Sequence, residues 1–166
     1  MYTTIQQFVK SFSEEQKITL CLFKAIPNDA LTIKVNDDVR SIQRLVWHIL
    51  ITHGEMLGKA GLTINCPDEH EEPIQDISKL CKWYEISSVS VLEEVQKKWT
   101  DADLNILIDI YGERWTQGDV LAAFVKHEIH HRGQLSILMR LNHIKVPSIY
   151  GPAKEDWANY NMPAAE

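Results

Sequence analysis

The sequence predicts an all-α protein, a four-helix bundle with a crossover connection. Three observations carry this prediction. Apolar residues recur at steps of three and four through four long blocks. All six Pro residues fall outside those blocks, as expected of a residue that cannot donate to a helix ladder. Two of the connections are too long for a simple up-and-down bundle, so one of them has to cross over.

The first block spans about residues 4–25, with Ile5, Phe8, Phe12, Ile18, Cys21, Leu22 and Ala25 on its apolar face and an interruption near Ser13. Thr3 or Thr4, followed three residues on by Gln6 or Gln7, reads as a capping box, and Pro27 ends the pattern. Residues 28–39 form a connection with a short extended patch at 31–35. The second block, about 41–60, carries Ile42, Leu45, Val46, Ile49, Leu50, Met56 and Leu57, with Gly61 just past its end. The loop that follows holds Pro67, Pro73 and the acidic run Asp68, Glu69, Glu71 and Glu72, which reads as a solvated surface. The third block, about 77–99, keeps helical spacing through Leu80, Trp83, Tyr84, Val91 and Val95, weakened at Ser87, Ser88 and Ser90. Between 101 and 115, Leu104, Ile106, Ile108 and Ile110 alternate, the signature of an extended segment leading into Gly112. The fourth block, about 117–142, opens on Thr116 and Asp119, a second capping pattern. Residues 1–147 therefore read as the bundle and 148–166 as an irregular tail packed on it.

Composition narrows the function. The 166 residues are 45% hydrophobic and 24% charged, ordinary for one globular domain. A net charge of −6 disfavours nonspecific nucleic-acid binding, which needs clustered Lys and Arg. No apolar run approaches the length of a membrane span, and the N-terminus lacks signal-peptide features. Three irregularly spaced Cys read as reduced thiols, so a cytoplasmic location is expected.

The histidines carry the chemistry. His127 and His131 are four apart, so their imidazoles share one helix face with Val120, Phe124, Leu135 and Leu138. His48 lies on the apolar face of the second block. Imidazoles on core-facing stripes are costly unless their nitrogens find partners, and a shared metal ion would supply one. Three His with one open position is the usual composition of a catalytic zinc site, where the bound water is the reactive group. His53, His70 and His143 read as ordinary surface residues, and His130 as facing another helix or solvent. HEIHH at 127–131 also matches H-E-x-x-H, in which Glu128 would act as general base and Glu155 could supply a third ligand. The longer form of that motif fails, because Gln134 stands where a Gly is required, and the chain has little strand to align a peptide. Glu128 with His131 also forms a Glu-x-x-His pair, but the second pair of a di-iron bundle is missing. Gln134, seven residues after His127, could hold a water or a ligand's second nitrogen. Gly133 within a helix suggests close approach of a neighbour, and Arg132 a carboxylate partner. Trp47 and Trp115 could line a pocket, and Tyr150, Trp157 and Tyr160 could cover it or a second copy.

The run HEIHHRGQLSILMRLNHIKVPSIYGP, with VRSIQRLVWHILITHGEML in the second block, resembles the DinB/YfiT-like metal-binding superfamily, in particular its DinB branch. The resemblance covers about residues 2–152. It implies that His48, His127 and His131 are metal ligands in a four-helix bundle with an unusual crossover, often a homodimer. It implies a divalent ion, commonly zinc or nickel, with manganese or iron as further options, and for some members a low-molecular-weight thiol. Members with known activities include thiol-dependent transferases and a mycothiol-dependent isomerase. The expectation is thus a metal-dependent transferase or hydrolase acting on a small molecule, with Glu128 and Gln134 as further candidate site residues. The alternatives are a non-catalytic metal-dependent binding or stress-response protein and an HExxH zinc hydrolase.

Overall fold

The computed structural model describes residues 2–164. Its frame is four long helices: α1 (Ile5–Lys24), α2 (Ile42–Lys59), α3 (Ile77–Lys98) and α4 (Gln117–Leu141). Each starts on a side-chain cap. Thr4, Ser41, Asp76 and Thr116 accept from the backbone N–H three residues on, satisfying one of the donors that a helix start leaves open. The caps expected at Thr4 and Thr116 are formed, and Gln7 reaches back to Thr3.

Two helix ends close in the same way. After α2, Gly61 takes φ 86° while the N–H groups of Gly61 and Leu62 return to the carbonyls of Gly58 and Leu57. After α4 the left-handed position is held by His143, at φ 60°, with Ile144 bonded back to Met139. His143 therefore ends a helix, exposed as expected.

Helix α1 packs against α3 and α4, and α2 packs against the same pair. Sequence neighbours α1 and α2 thus sit on a diagonal, as do α3 and α4, which is the expected crossover. The α1–α2 connection contains a short 3-10 turn (Asn28–Ala30) and is pinned where Ile42 and Gln43 donate to Ile33 and Leu31. It forms no strand, so the extended patch expected at 31–35 is instead a run of turns. The α3–α4 connection was expected to be one extended segment. It is a hairpin of β1 (Leu107–Ile110) and β2 (Glu113–Thr116), paired antiparallel. Its two-residue turn, Tyr111-Gly112, has φ of 53° and 81°, positive at both positions as a tight hairpin turn requires. The tail holds a 3-10 helix, Lys154–Tyr160, and so is less irregular than its composition suggests. It is tied to α4 by the bidentate Arg140–Glu155 pair.

The interior has two apolar halves. One gathers Leu22, Phe23, Leu45, Trp47, Tyr84, Leu135 and Met139; the other gathers Phe8, Phe12, Leu57, Val91, Val95, Val120 and Phe124. Between them every helix contributes buried polar groups: Thr19 from α1, Thr52 and His53 from α2, Ser87 and Ser88 from α3, and Glu128, His131 and Arg132 from α4. The weak middle of the third block marks this layer in the sequence.

Candidate metal centre

The polar layer reaches solvent on the seam between α2 and α4. There His48, one turn before Thr52, meets His127 and His131. Their Nε2 atoms form a nearly equilateral triangle, 3.2 Å between His48 and His127 and 3.1 Å for each of the other two pairs. Hydrogen bonds alone cannot satisfy this triangle. Each Nε2 is a donor or an acceptor, so among three at least one pair is alike and repels. One cation resolves the conflict. With metal–nitrogen bonds of about 2.0–2.1 Å, two nitrogens on one ion lie about 2.9 Å apart at a right angle and about 3.4 Å apart at a tetrahedral angle. The observed edges fall inside that range, and among the described residues these three form a group suited to holding an ion.

Electrostatics prepares the same state. Burial, then the neighbouring imidazoles, lowers the pKa of His48 to about 4, and that of His127 likewise. Burial also lowers His131. All three are neutral near pH 7, with lone pairs available. The Nδ1 of His131 lies 2.8 Å from Gln134 Oε1, so it carries the proton and leaves Nε2 free for the cluster. Gln134 in turn reaches exposed His130 at 3.0 Å. Gln134 thus holds the second nitrogen of His131. The Nδ1 of His127 is buried with no partner among the described residues, which is unlike a satisfied core histidine.

A cavity of about 470 Å³ opens beside His48 and His127. Ile51, Met56, Ala123 and Trp115 form its apolar walls, and Thr52, Glu55, Glu69 and Tyr111 its polar ones. Tyr111 donates to Glu55 at 2.7 Å, and Lys59 pairs with the other oxygen of that carboxylate. Trp115 lines the pocket while also packing against the core, the role that sequence alone favours for it. Trp47 does not line it, because it lies in the core with its indole nitrogen unpartnered. Sequence reasoning missed Glu55, although its place seven residues after His48 puts it on the same helix face.

Several other expectations are corrected. His53 is fully buried and is no surface residue: its ring lies 2.8 Å from Ser87 Oγ and 3.2 Å from Glu128 Oε2. Glu128 does not face the triangle. Thr19 and Tyr84 donate to one of its oxygens at 2.6 and 2.7 Å, and His53 takes the other. Burial pushes its carboxyl up, but these bonds outweigh it and hold the group below the usual range. A carboxylate engaged in this way has no oxygen free to act on a metal-held water, which removes the physical basis of the HExxH reading. Glu155 is no ligand either, because Arg140 holds it in the tail. Gly133 is exposed and nothing approaches it. Arg132 is buried and finds its carboxylate, Glu15, together with Thr19 Oγ1 at 2.9 Å and the Tyr150 hydroxyl. Tyr150 therefore closes over Arg132, and no described residue of the tail lines the cavity. His70 is exposed, as expected.

Comparison with known proteins agrees with this architecture. The uncharacterized protein YrdA of Bacillus subtilis (strain 168) is 29% identical over 164 residues, covering 99% of this chain and 98% of the relative. The crystal structure of a DinB-like protein from Bacillus cereus superposes with a TM-score of 0.85 at 26% identity, covering 90% of this chain and all of that one. The DinB-like protein YjoA of Bacillus subtilis gives a TM-score of 0.66 at 28% identity over 89% of this chain and 99% of its own. The DinB family model matches residues 1–165. With its crossed bundle and a three-histidine cluster fit for a divalent ion, the chain belongs to the DinB family.

Proposed function

We propose that the protein is a metal-dependent enzyme in which His48, His127 and His131 hold one divalent ion, zinc or nickel, and act on a small molecule bound in the adjoining cavity. The observation that carries this reading is the triangle of three Nε2 atoms 3.1–3.2 Å apart, which no set of hydrogen bonds satisfies. When bound, the ion supplies Lewis acidity and favours the deprotonated form of a nucleophile, a thiol or water. The chain supplies the rest. Gln134 fixes the tautomer of His131. Ile51, Met56, Ala123 and Trp115 give the cavity apolar walls, and Glu55, held between Tyr111 and Lys59, places a fixed carboxylate there. No Ser or Cys among the described residues lines the cavity, so the nucleophile is one the ion activates, and membership of the DinB family makes thiol-dependent transfer to an electrophile the preferred reaction.

The test is the metal content of tag-free protein purified without added metal, for wild type, His48→Ala and the control His70→Ala. Near-stoichiometric metal in wild type and control, lost in His48→Ala with the helical signal intact, supports the centre. Paired thiols and electrophiles are then screened for turnover. A well-folded wild type that neither retains nor takes up zinc or nickel refutes the reading.

A further inference from the structure

The α2–α4 seam carries a second concavity, on the other side of the imidazoles from the cavity described above. Along α2 the order is Leu45, then His48, then Thr52 and Glu55; along α4 it is Leu138 and Gln134, then His131 and His127, then Ala123. The three-histidine centre therefore lies between two hollows. The second, of about 620 Å³, runs between the α1–α2 connection and the C-terminal half of α4. Its floor is Leu45 and Leu138, and its rims are Val35, Ile137 and Leu141, all exposed large apolar side chains.

One feature breaks its apolar character. Arg40, the residue before the cap of α2, lines the groove and forms no ion pair among the described residues. Asp38 stands on the same rim without pairing with it. Gln134 joins the hollow to the centre, lining the groove while it holds His131. A positive fork at the head of an apolar trough, next to a metal-type centre, suits a ligand with an anionic end, a short apolar body and a donor atom for the ion. The planar guanidinium matches a carboxylate in particular.

We propose that Arg40 is a specificity-determining residue that pairs with the carboxylate of the thiol co-substrate, whose apolar body lies in the Leu45–Leu138 groove and whose sulfur reaches the three-histidine centre, while the electrophile occupies the cavity on the other side of the imidazoles. This deepens the metal-centre reading and rests on it. The opposite hollow carries Glu55 and Glu69 and, among the described residues, no arginine in its lining, so a guanidinium fork is offered on the groove side.

The experiment uses full-length protein loaded with cobalt(II), titrated with 3-mercaptopropionate and with its neutral isostere 3-mercaptopropan-1-ol. Thiol binding is followed by the ligand-to-metal absorption band. Wild type is expected to bind the carboxylate about tenfold more tightly. Arg40→Ala should abolish that preference without changing affinity for the neutral thiol, and Arg40→Lys should retain part of it. Arg40 is exposed, so neither variant threatens the fold. Equal affinities in wild type, or a preference that survives Arg40→Ala, overturns the proposal while leaving the metal centre standing. Failure of both thiols to bind the cobalt-loaded protein overturns the proposal and leaves the centre standing, whereas failure of cobalt to load overturns the centre itself and the proposal with it. If the preference is absent and Arg40→Ala instead weakens self-association, the groove belongs to a second copy of the chain and the proposal falls.

Discussion

Replacing Glu128 with Ala separates a core carboxylate from a catalytic one. In the native protein this side chain is only 3% exposed and accepts from Thr19, Tyr84 and His53, which belong to α1, α3 and α2, so it ties α4 to the other three helices. The Ser87 hydroxyl lies within reach of both the Tyr84 carbonyl and His53 Nδ1, and the Nε2 of His53 is the donor to Glu128, which has only acceptors. Truncation leaves two hydroxyls and a ring N–H buried without an acceptor. Breaking a buried pair by removing one partner costs about 3–5 kcal/mol. In a chain of this length each kcal/mol moves Tm by about 2–4 °C, so the midpoint should fall by about 6–20 °C. Glu128→Gln is milder, at about 1–2 kcal/mol. Its carbonyl still accepts from Thr19 and Tyr84, and its amide can donate to a neutral His53. Thermal and denaturant unfolding of metal-free protein reads both variants, and metal titration follows. A Glu128→Ala variant within about 0.5 kcal/mol of wild type refutes this reasoning. So does a Glu128→Gln variant of native stability that holds metal and has lost all activity.

Four further outcomes are expected. Gln134→Ala should weaken metal affinity by about 10–100-fold with little change in the melting of metal-free protein, measured by competition with a chelating dye. With metal removed, stability should fall as pH drops from 6.5 toward 4. Native His48 and His127 have pKa values lowered to about 4, so the unfolded chain binds more protons across that window. Guanidinium titrations at pH 7 and pH 5 measure the loss, and an undiminished His127→Ala slope contradicts its source. Gly133→Ala should stabilise by up to about 1 kcal/mol, because the helix is relieved of a Gly and an added methyl meets nothing within 4 Å. Truncation after Val146 should lower Tm by removing Tyr150 from Arg132 and Glu155 from Arg140, yet leave zinc affinity unchanged, since no described residue of the tail lines the cavity.

The sequence exposed the helices and the three clustered histidines because both rest on local periodicity. His127 and His131 share a face by spacing alone, and His48 sits beside Leu45 and Ile49. The buried polar layer was less legible, because each member finds its partner on a different helix. His53 is flanked at i−4 and i+4 by Ile49 and Leu57, a sign of burial outweighed by its polarity and its offset from His48. Glu128 drew attention through a five-residue motif, yet what decides its role is Thr19 at a separation of 109 residues. The alternation at 104–110 marked one strand but concealed the hairpin, since Glu113–Thr116 is polar and half exposed and has no apolar pattern of its own. Gly133 misled because a helical glycine signals close packing only where something packs.

The diagonal placement of consecutive helices also sets a clock. The ligands come from α2 and α4, with His48 and His127 separated by 79 residues of chain. At a synthesis rate of about 5–20 residues per second, roughly 4–16 s pass between the emergence of the first ligand and that of the second. Through that interval His48 is a lone imidazole with no partner to help it retain an ion. On the proposed reading, three-point capture has to wait until the last helix docks across the seam, so metal uptake would mark the completed fold and not template its early stages.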